Sequence, residues 1–245
     1  MNQPTNWSGK TAIITGASGG IGTSLARELS FRHFQLMLTG RDEAALEKTA
    51  AVAQEAGCEV EIFPVDLTQE GAIDLLLEQT QNRFGGIDVL INNAGLAQNC
   101  GVEEVSEELF DSLMNINCKV PYFLCQKALP YLRASDCATI INICSVTAHK
   151  GYPYQSVYVA SKHALLGFSK SLANEVYSEG IRVHTISPGG VYTRMVTISR
   201  PDLSPEGMIL PEDIADIAAF YLDKRMSNAV IDEIELHRAN KAPFA

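Results

Sequence analysis

Short runs of apolar, largely β-branched residues alternate along this chain with longer amphipathic segments, and that alternation restricts the fold more than any other feature. Runs this short suit buried strands, whereas the longer segments repeat their apolar residues at helical spacing. Strands are expected at 11–15, 34–39, 60–65, 89–91, 139–143, 182–186 and 230–236, and helices near 22–32, 42–56, 69–83, 104–133, 155–178 and 211–222, with Asp42 and Thr68 as helix caps. Parallel strands need long crossovers, which helices supply, so the pattern predicts a doubly wound, parallel, seven-stranded sheet with helices on both faces, a three-layer αβα arrangement. With 245 residues and 46% hydrophobic content, the chain can bury one large core, and a single domain over 1–245 is expected. The stretch 194–210 fits neither periodicity; its two prolines and a glycine predict a loop that touches substrate.

The charge balance narrows the partners. Nineteen basic against 29 acidic residues give a formal charge of −10, which repels phosphate backbones and anionic lipid, so neither nucleic acid nor membrane is an expected partner. Cys58, Cys100, Cys118, Cys125, Cys137 and Cys144 show no ligand spacing, which argues against a metal site or a disulfide framework and for reduced thiols in the cytoplasm. The opening MNQPTNWSGK lacks an apolar core and no apolar run reaches membrane-spanning length, so a soluble, unprocessed chain is expected.

The first strand runs into Thr15-Gly16-Ala17-Ser18-Gly19-Gly20-Ile21-Gly22 and then a helix. Glycines here allow a tight turn and close approach of the backbone to a pyrophosphate at a helix N-terminus; glycine also serves plain turn geometry. Gly16, Ser18, Gly20, Ile21 and Gly22 are thus candidate cofactor-binding positions. A Walker reading of "SGKT" at 8–11 fails, because Pro4 stands where the first glycine belongs and Lys10 leads into a strand. At the end of the second strand, a carboxylate would bond a ribose 2′-hydroxyl and repel a 2′-phosphate. The chain has Thr39-Gly40-Arg41 instead, and Arg41 suits bidentate contact with phosphate, so NADP(H) is favoured over NAD(H).

With TGASGGIG, Asn92-Asn93-Ala94-Gly95 and Tyr158-xxx-Lys162 in this order and spacing, the chain resembles the short-chain dehydrogenase/reductase family from about residue 9 to 193, in particular its 3-oxoacyl-acyl-carrier-protein reductase-like members. The resemblance implies a Rossmann-type fold and hydride transfer between nicotinamide and a ketone or secondary alcohol, on a carbonyl or 3-oxoacyl thioester substrate. It maps the catalytic set onto Asn117, Ser145, Tyr158 and Lys162. It also implies that Asp66 touches the adenine amino group, that Asn93 lies beside the adenosine, that Tyr158 and Lys162 contact the cofactor, and that Pro188, Gly189, Val191 and Thr193 face the nicotinamide. Where many members have asparagine before that proline, this chain has Ser187.

The chemistry of the residues agrees. A tyrosine with an ordinary pKa near 10 is a weak base at neutral pH, and an ammonium one helical turn away would stabilise its phenolate, so a phenol lowered by Lys162 is expected. Ser145 could donate to the substrate oxygen beside Tyr158, and the resemblance gives Asn117 a water chain leading to Lys162. By nearness in sequence, Ser145, Val146, His149, Tyr152, Tyr158 and Tyr192 form the expected substrate wall, with His149 either a second proton donor or a polar lining residue. Lys150, Arg194 and Arg200 could attract an acyl carrier or be plain surface charges. The resemblance further implies a homo-oligomer, a dimer or tetramer. The rival readings are a non-enzymatic NADP-sensing regulator on the same fold, which would be expected to lack Tyr158 or Lys162, and an extended-branch dehydratase or epimerase, which would need a longer carboxyl-terminal domain.

Overall fold

A computed structural model describes residues 6–199 and 204–241. Seven strands form one parallel sheet in the order β3-β2-β1-β4-β5-β6-β7: β1 (Thr11–Thr15), β2 (Gln35–Gly40), β3 (Val60–Pro64), β4 (Val89–Asn92), β5 (Thr139–Ile143), β6 (Arg182–Pro188) and β7 (Glu233–Leu236). The connecting helices are α1 (Gly20–Ser30), α2 (Glu43–Glu55), α3 (Ala72–Phe84), α4 (Glu107–Met114), α5 (Val120–Leu132), α6 (Ser156–Val176), α7 (Arg194–Ser199) and α8 (Pro211–Asp223).

Alternate side chains of each central strand point to opposite faces, and this period of two divides the core. Ile14, Leu36, Leu38, Ile91 and Ile141 pack under α1, α2 and α8, while Ile13, Met37, Leu90 and Ile140 pack under α3, α5 and α6. Both faces are covered, so the strands read as continuous apolar runs instead of alternating ones. Each fully buried Ile or Leu contributes about 1.5–3 kcal/mol of transfer free energy.

Four local expectations change. Asp42 caps α2, its side chain accepting from Ala45 N at 3.0 Å, but Thr68 caps nothing: α3 begins after Gly71, whose φ of 77° is one that glycine adopts without strain, and the Thr68 hydroxyl donates to Asp66 at 2.7 Å. The expected helix at 104–133 is α4 and α5 joined by a π-helical turn over Asn115–Lys119. Part of the expected loop at 194–210 is helix α7, and Val191 bridges Ile209, so the segment returns beside its own start. Arg200 lies outside the described residues. The final strand starts at Glu233, shorter than expected.

Candidate active site

The sheet order reverses between β1 and β4, and crevices at such points open at the carboxyl ends of the strands. A cavity of about 450 Å³ lies there. Of the expected cofactor positions it is lined by Gly16, Ser18, Gly20, Ile21, Arg41, Asp66, Asn93, Tyr158, Lys162, Pro188, Gly189, Val191 and Thr193.

The glycine loop is shaped by proximity. Gly16 has φ 62°, and a Cβ on it would sit 2.8 Å from Ala94 Cα. Gly22 does not line the cavity: a Cβ there would lie 2.3 Å from Gly16 O and 2.6 Å from Ala17 Cα, so this glycine closes α1 onto the loop instead of touching a ligand. Gly19, at the N-cap of α1, offers no side-chain acceptor, and the first turn of the helix contains no acid, so its free N–H groups and positive dipole end suit an anion. Asn93 is spent on the protein itself, its amide donating to Thr15 O and Gly16 O at 2.9 and 3.0 Å. It ties the end of β4 to the glycine loop. Loop, dipole and close backbone approach fit a dinucleotide.

Farther along, Gly40 leaves room against Ser18, whose Oγ would lie 3.0 Å from a Cβ on Gly40, and the exposed Arg41 follows. The Asp66 carboxyl is held below its usual range first by the Thr68 hydroxyl, then by the Thr68 N–H at 2.9 Å, with Arg41 adding a smaller attraction.

Ser145, Tyr158 and Lys162 share the opposite end of the cavity. Ser145 follows β5 in an extended conformation and opens a short turn at Val146–Ala148; its Oγ accepts from Thr147 N at 3.2 Å, which leaves the hydroxyl hydrogen free to donate. Tyr158 sits in the first turn of α6. That turn is capped from a distance: the buried Gln98 side chain accepts from Val157 N at 2.9 Å and Tyr158 N at 3.3 Å. Sequence reasoning missed Gln98, since nothing local ties it to a helix starting at Ser156.

The expected lowering of the Tyr158 phenol by Lys162 is not seen in the chain alone. Burial pushes the Tyr158 phenol up to about 12, with the Ser145 hydroxyl pulling the other way. Lys162 Nζ stands 5.9 Å from the centre of the phenol ring and donates to Ile143 O at 2.9 Å, and burial lowers its pKa. The i,i+4 spacing puts both groups on one helix face, but a buried ammonium first finds a carbonyl. Asn117 is fully buried behind the cavity, not in its wall. Its Oδ1 accepts from Leu96 N at 2.8 Å, and its amide donates to Leu96 O at 2.9 Å and Ser161 Oγ at 3.0 Å. Gly95 separates it from Lys162: a Cβ there would lie 3.0 Å from Asn117 Oδ1 and 3.8 Å from Lys162 Nζ.

Four of the expected substrate-wall residues, Val146, His149, Tyr152 and Tyr192, lie outside the lining of this cavity. The 3₁₀ turn after Ser145 carries the first two elsewhere, His149 to within 2.7 Å of a Glu233 carboxylate oxygen, and Tyr192 is 48% exposed. Leu96, Ser112, Asn115, Ile116, Met195 and Val196 take their place. Met195 and Val196 could have been found by their nearness to Thr193; the α4 residues reach the cavity only through tertiary packing. Arg194 also lines the cavity, and Lys150 does not.

Comparison with known proteins agrees with this geometry. Residues 10–204 match the short chain dehydrogenase family. The chain is 33% identical over 226 residues to an uncharacterised oxidoreductase of Staphylococcus saprophyticus, covering 92% of this chain and 95% of that one. It is 35% identical over 190 residues to the 3-oxoacyl-[acyl-carrier-protein] reductase of Haemophilus influenzae, covering 78% and 77%. An alcohol dehydrogenase from the archaeon Thermococcus sibiricus, solved with 5-hydroxy-NADP, superposes with a TM-score of 0.85 at 29% identity, covering 96% and 98%. Glycine loop, sheet order and matched relatives together place the chain in the short-chain dehydrogenase family, as an NAD(P)-dependent oxidoreductase.

Proposed function

We propose that the protein reduces a ketone, or oxidises the corresponding secondary alcohol, with NADP(H) as its cofactor and Tyr158 as the acid/base. The observation that carries this reading is that Ser145, Tyr158 and Lys162 line one end of the cavity whose other end is built from the glycine loop and Arg41. When bound, the nicotinamide supplies or accepts the hydride. Ser18 and Arg41 would hold the 2′-phosphate, the α1 N–H groups the pyrophosphate, Asp66 the adenine, Lys162 the ribose hydroxyls and Thr193 the carboxamide.

The chain's own residues manage the oxygen and its proton. The Ser145 hydroxyl donates to the carbonyl oxygen and stabilises the charge that grows there. Tyr158 gives that oxygen its proton. A phenol raised by burial is protonated at neutral pH and so holds the proton that reduction requires, whereas the phenolate needed for oxidation is scarce until the pH rises. Asn117 holds the Leu96 segment against α6. That Arg194, Met195 and Val196 line the cavity supports the start of the 194–210 segment as a substrate-contacting loop.

The likeness to a 3-oxoacyl-[acyl-carrier-protein] reductase supports an acyl thioester as one substrate class, and that to an alcohol dehydrogenase supports simpler carbonyls. Exposed Phe110, Tyr122 and Phe123 on α4 and α5 support assembly as a dimer or tetramer. Six free cysteines support a reducing, cytoplasmic setting.

The test is the rate of NADPH and NADH consumption with an acetoacetyl thioester and with a panel of ketones. NADPH preference is expected, with reduction flat across neutral pH and alcohol oxidation climbing as the phenol ionises. Tyr158→Phe should lower kcat by about 10²–10⁴-fold and leave NADPH binding within a small factor. Turnover retained in that variant would end the assignment.

A further inference from the structure

Glu233, the first residue of β7, gives one carboxylate to both strand-end segments that flank the carbonyl end of the cleft. Its Oε1 accepts from the Ser187 hydroxyl at 2.7 Å and lies 2.7 Å from His149 Nε2, and Lys170 Nζ stands 3.7 Å from Oε2. Ser187 is fully buried and immediately precedes Pro188 and Gly189, which line the cavity. His149 ends the turn that Ser145 begins.

The strand pairing between β5 and β6 runs in register only as far as Ile143 and Ile186. Beyond that point Cys144 N donates to Ile186 O at 2.7 Å, and the Glu233 carboxylate spans the two segments by side-chain contacts. The carboxylate is half-buried, its side chain 21% exposed; its bond to His149 lies at the surface, whereas its bond to Ser187 is sheltered by a fully buried partner, and an orphaned Ser187 hydroxyl would carry a desolvation cost. His149 turns its ring to Glu233 and lies outside the cavity lining.

We propose that Glu233 is a positioning residue for the reaction, tying His149 and Ser187 together so that the Ser145 hydroxyl and the Pro188–Thr193 wall keep a fixed separation across the cleft. This rests on the reading of Ser145 as donor to the substrate oxygen. The residue acts through others and touches no reacting atom, so its loss should appear in kcat and be coupled to its partners.

The experiment is a double-mutant cycle on kcat with NADPH and the best ketone substrate. His149→Ala, Ser187→Ala and Glu233→Ala should each lower kcat by about tenfold, and combining any two should cost no more than the worse single change, because either break severs the same link. Glu233→Gln, which keeps an acceptor for both donors, should recover most of the rate. Effects that multiply, or single variants with unchanged kcat, would overturn the proposal. If Glu233→Ala does not fold, the His149→Ala and Ser187→Ala pair completes the cycle alone. Tyr158→Phe in the same assay separates the two readings: if it keeps turnover the acid/base assignment fails, whereas if it is inactive and the cycle is additive only the Glu233 role fails.

Discussion

At one end of the cleft the wall is mainly backbone, with Gly16 so close to Ala94, and Gly22 behind the wall so close to Ala17, that a single added carbon would collide; at the other it is side chains, Ser145 from the end of β5, Tyr158 and Lys162 from α6, and Thr193 from the loop after β6. The first end relies on N–H groups and a helix dipole, which need no titration and no rotamer. The second relies on groups whose protonation depends on burial: a phenol pushed up, an amine pushed down. A backbone site tolerates almost no added volume, whereas a side-chain site tolerates changes nearby but depends on distant residues that hold its parts in register.

This contrast can be broken by substitution. Gly22→Ala should do the most damage, since its Cβ would lie 2.3 Å from Gly16 O and backbone must shift to admit it. We expect a loss of about 1–3 kcal/mol in folding stability together with loss of dinucleotide binding, read by thermal melting and cofactor titration. Normal NADPH affinity in that variant would show the loop to be less tightly constrained than the side-chain end. Arg41→Ala comes next: NADPH affinity should fall by about tenfold with NADH little changed, consistent with loss of one charge-assisted phosphate contact. Equal effects on both cofactors would remove Arg41 as the discriminating group. The smallest effect is expected at the cap of α6. Gln98→Met removes the acceptor for Val157 and Tyr158 N–H, and should lower kcat by roughly three- to tenfold with NADPH binding unchanged, as a lost cap of about 1 kcal/mol misaligns the phenol. A drop in cofactor affinity of the same size would mean that the two ends are less independent than their construction implies.

Much of the fold was legible because strands buried on both faces must be apolar throughout and the helices between them must be amphipathic, as at 36–38 and 139–143. Boundaries set by single turns were less legible. Thr68 looks like a cap until Asp66 takes its hydroxyl, and 194–199 looks irregular although it forms helix α7. At the candidate site, the glycines, Tyr158 and Lys162 stood out because each lies in a local pattern. Val146, His149, Tyr152 and Tyr192 lie outside the cavity lining, because nearness along the chain does not say which way a turn carries its side chains.

The sequence by itself determined the order of strands and helices, the glycine turn where the backbone approaches a ligand, and the pairing of Tyr158 with Lys162 on one helix face, all consequences of local sterics and periodicity. Only the tertiary structure decided which way burial moves the two groups, and the supports behind them. Burial sets the energy of an ionised group, and Gln98 and Glu233 reach their partners across 59 and 46 to 84 residues of chain, distances over which no local pattern survives.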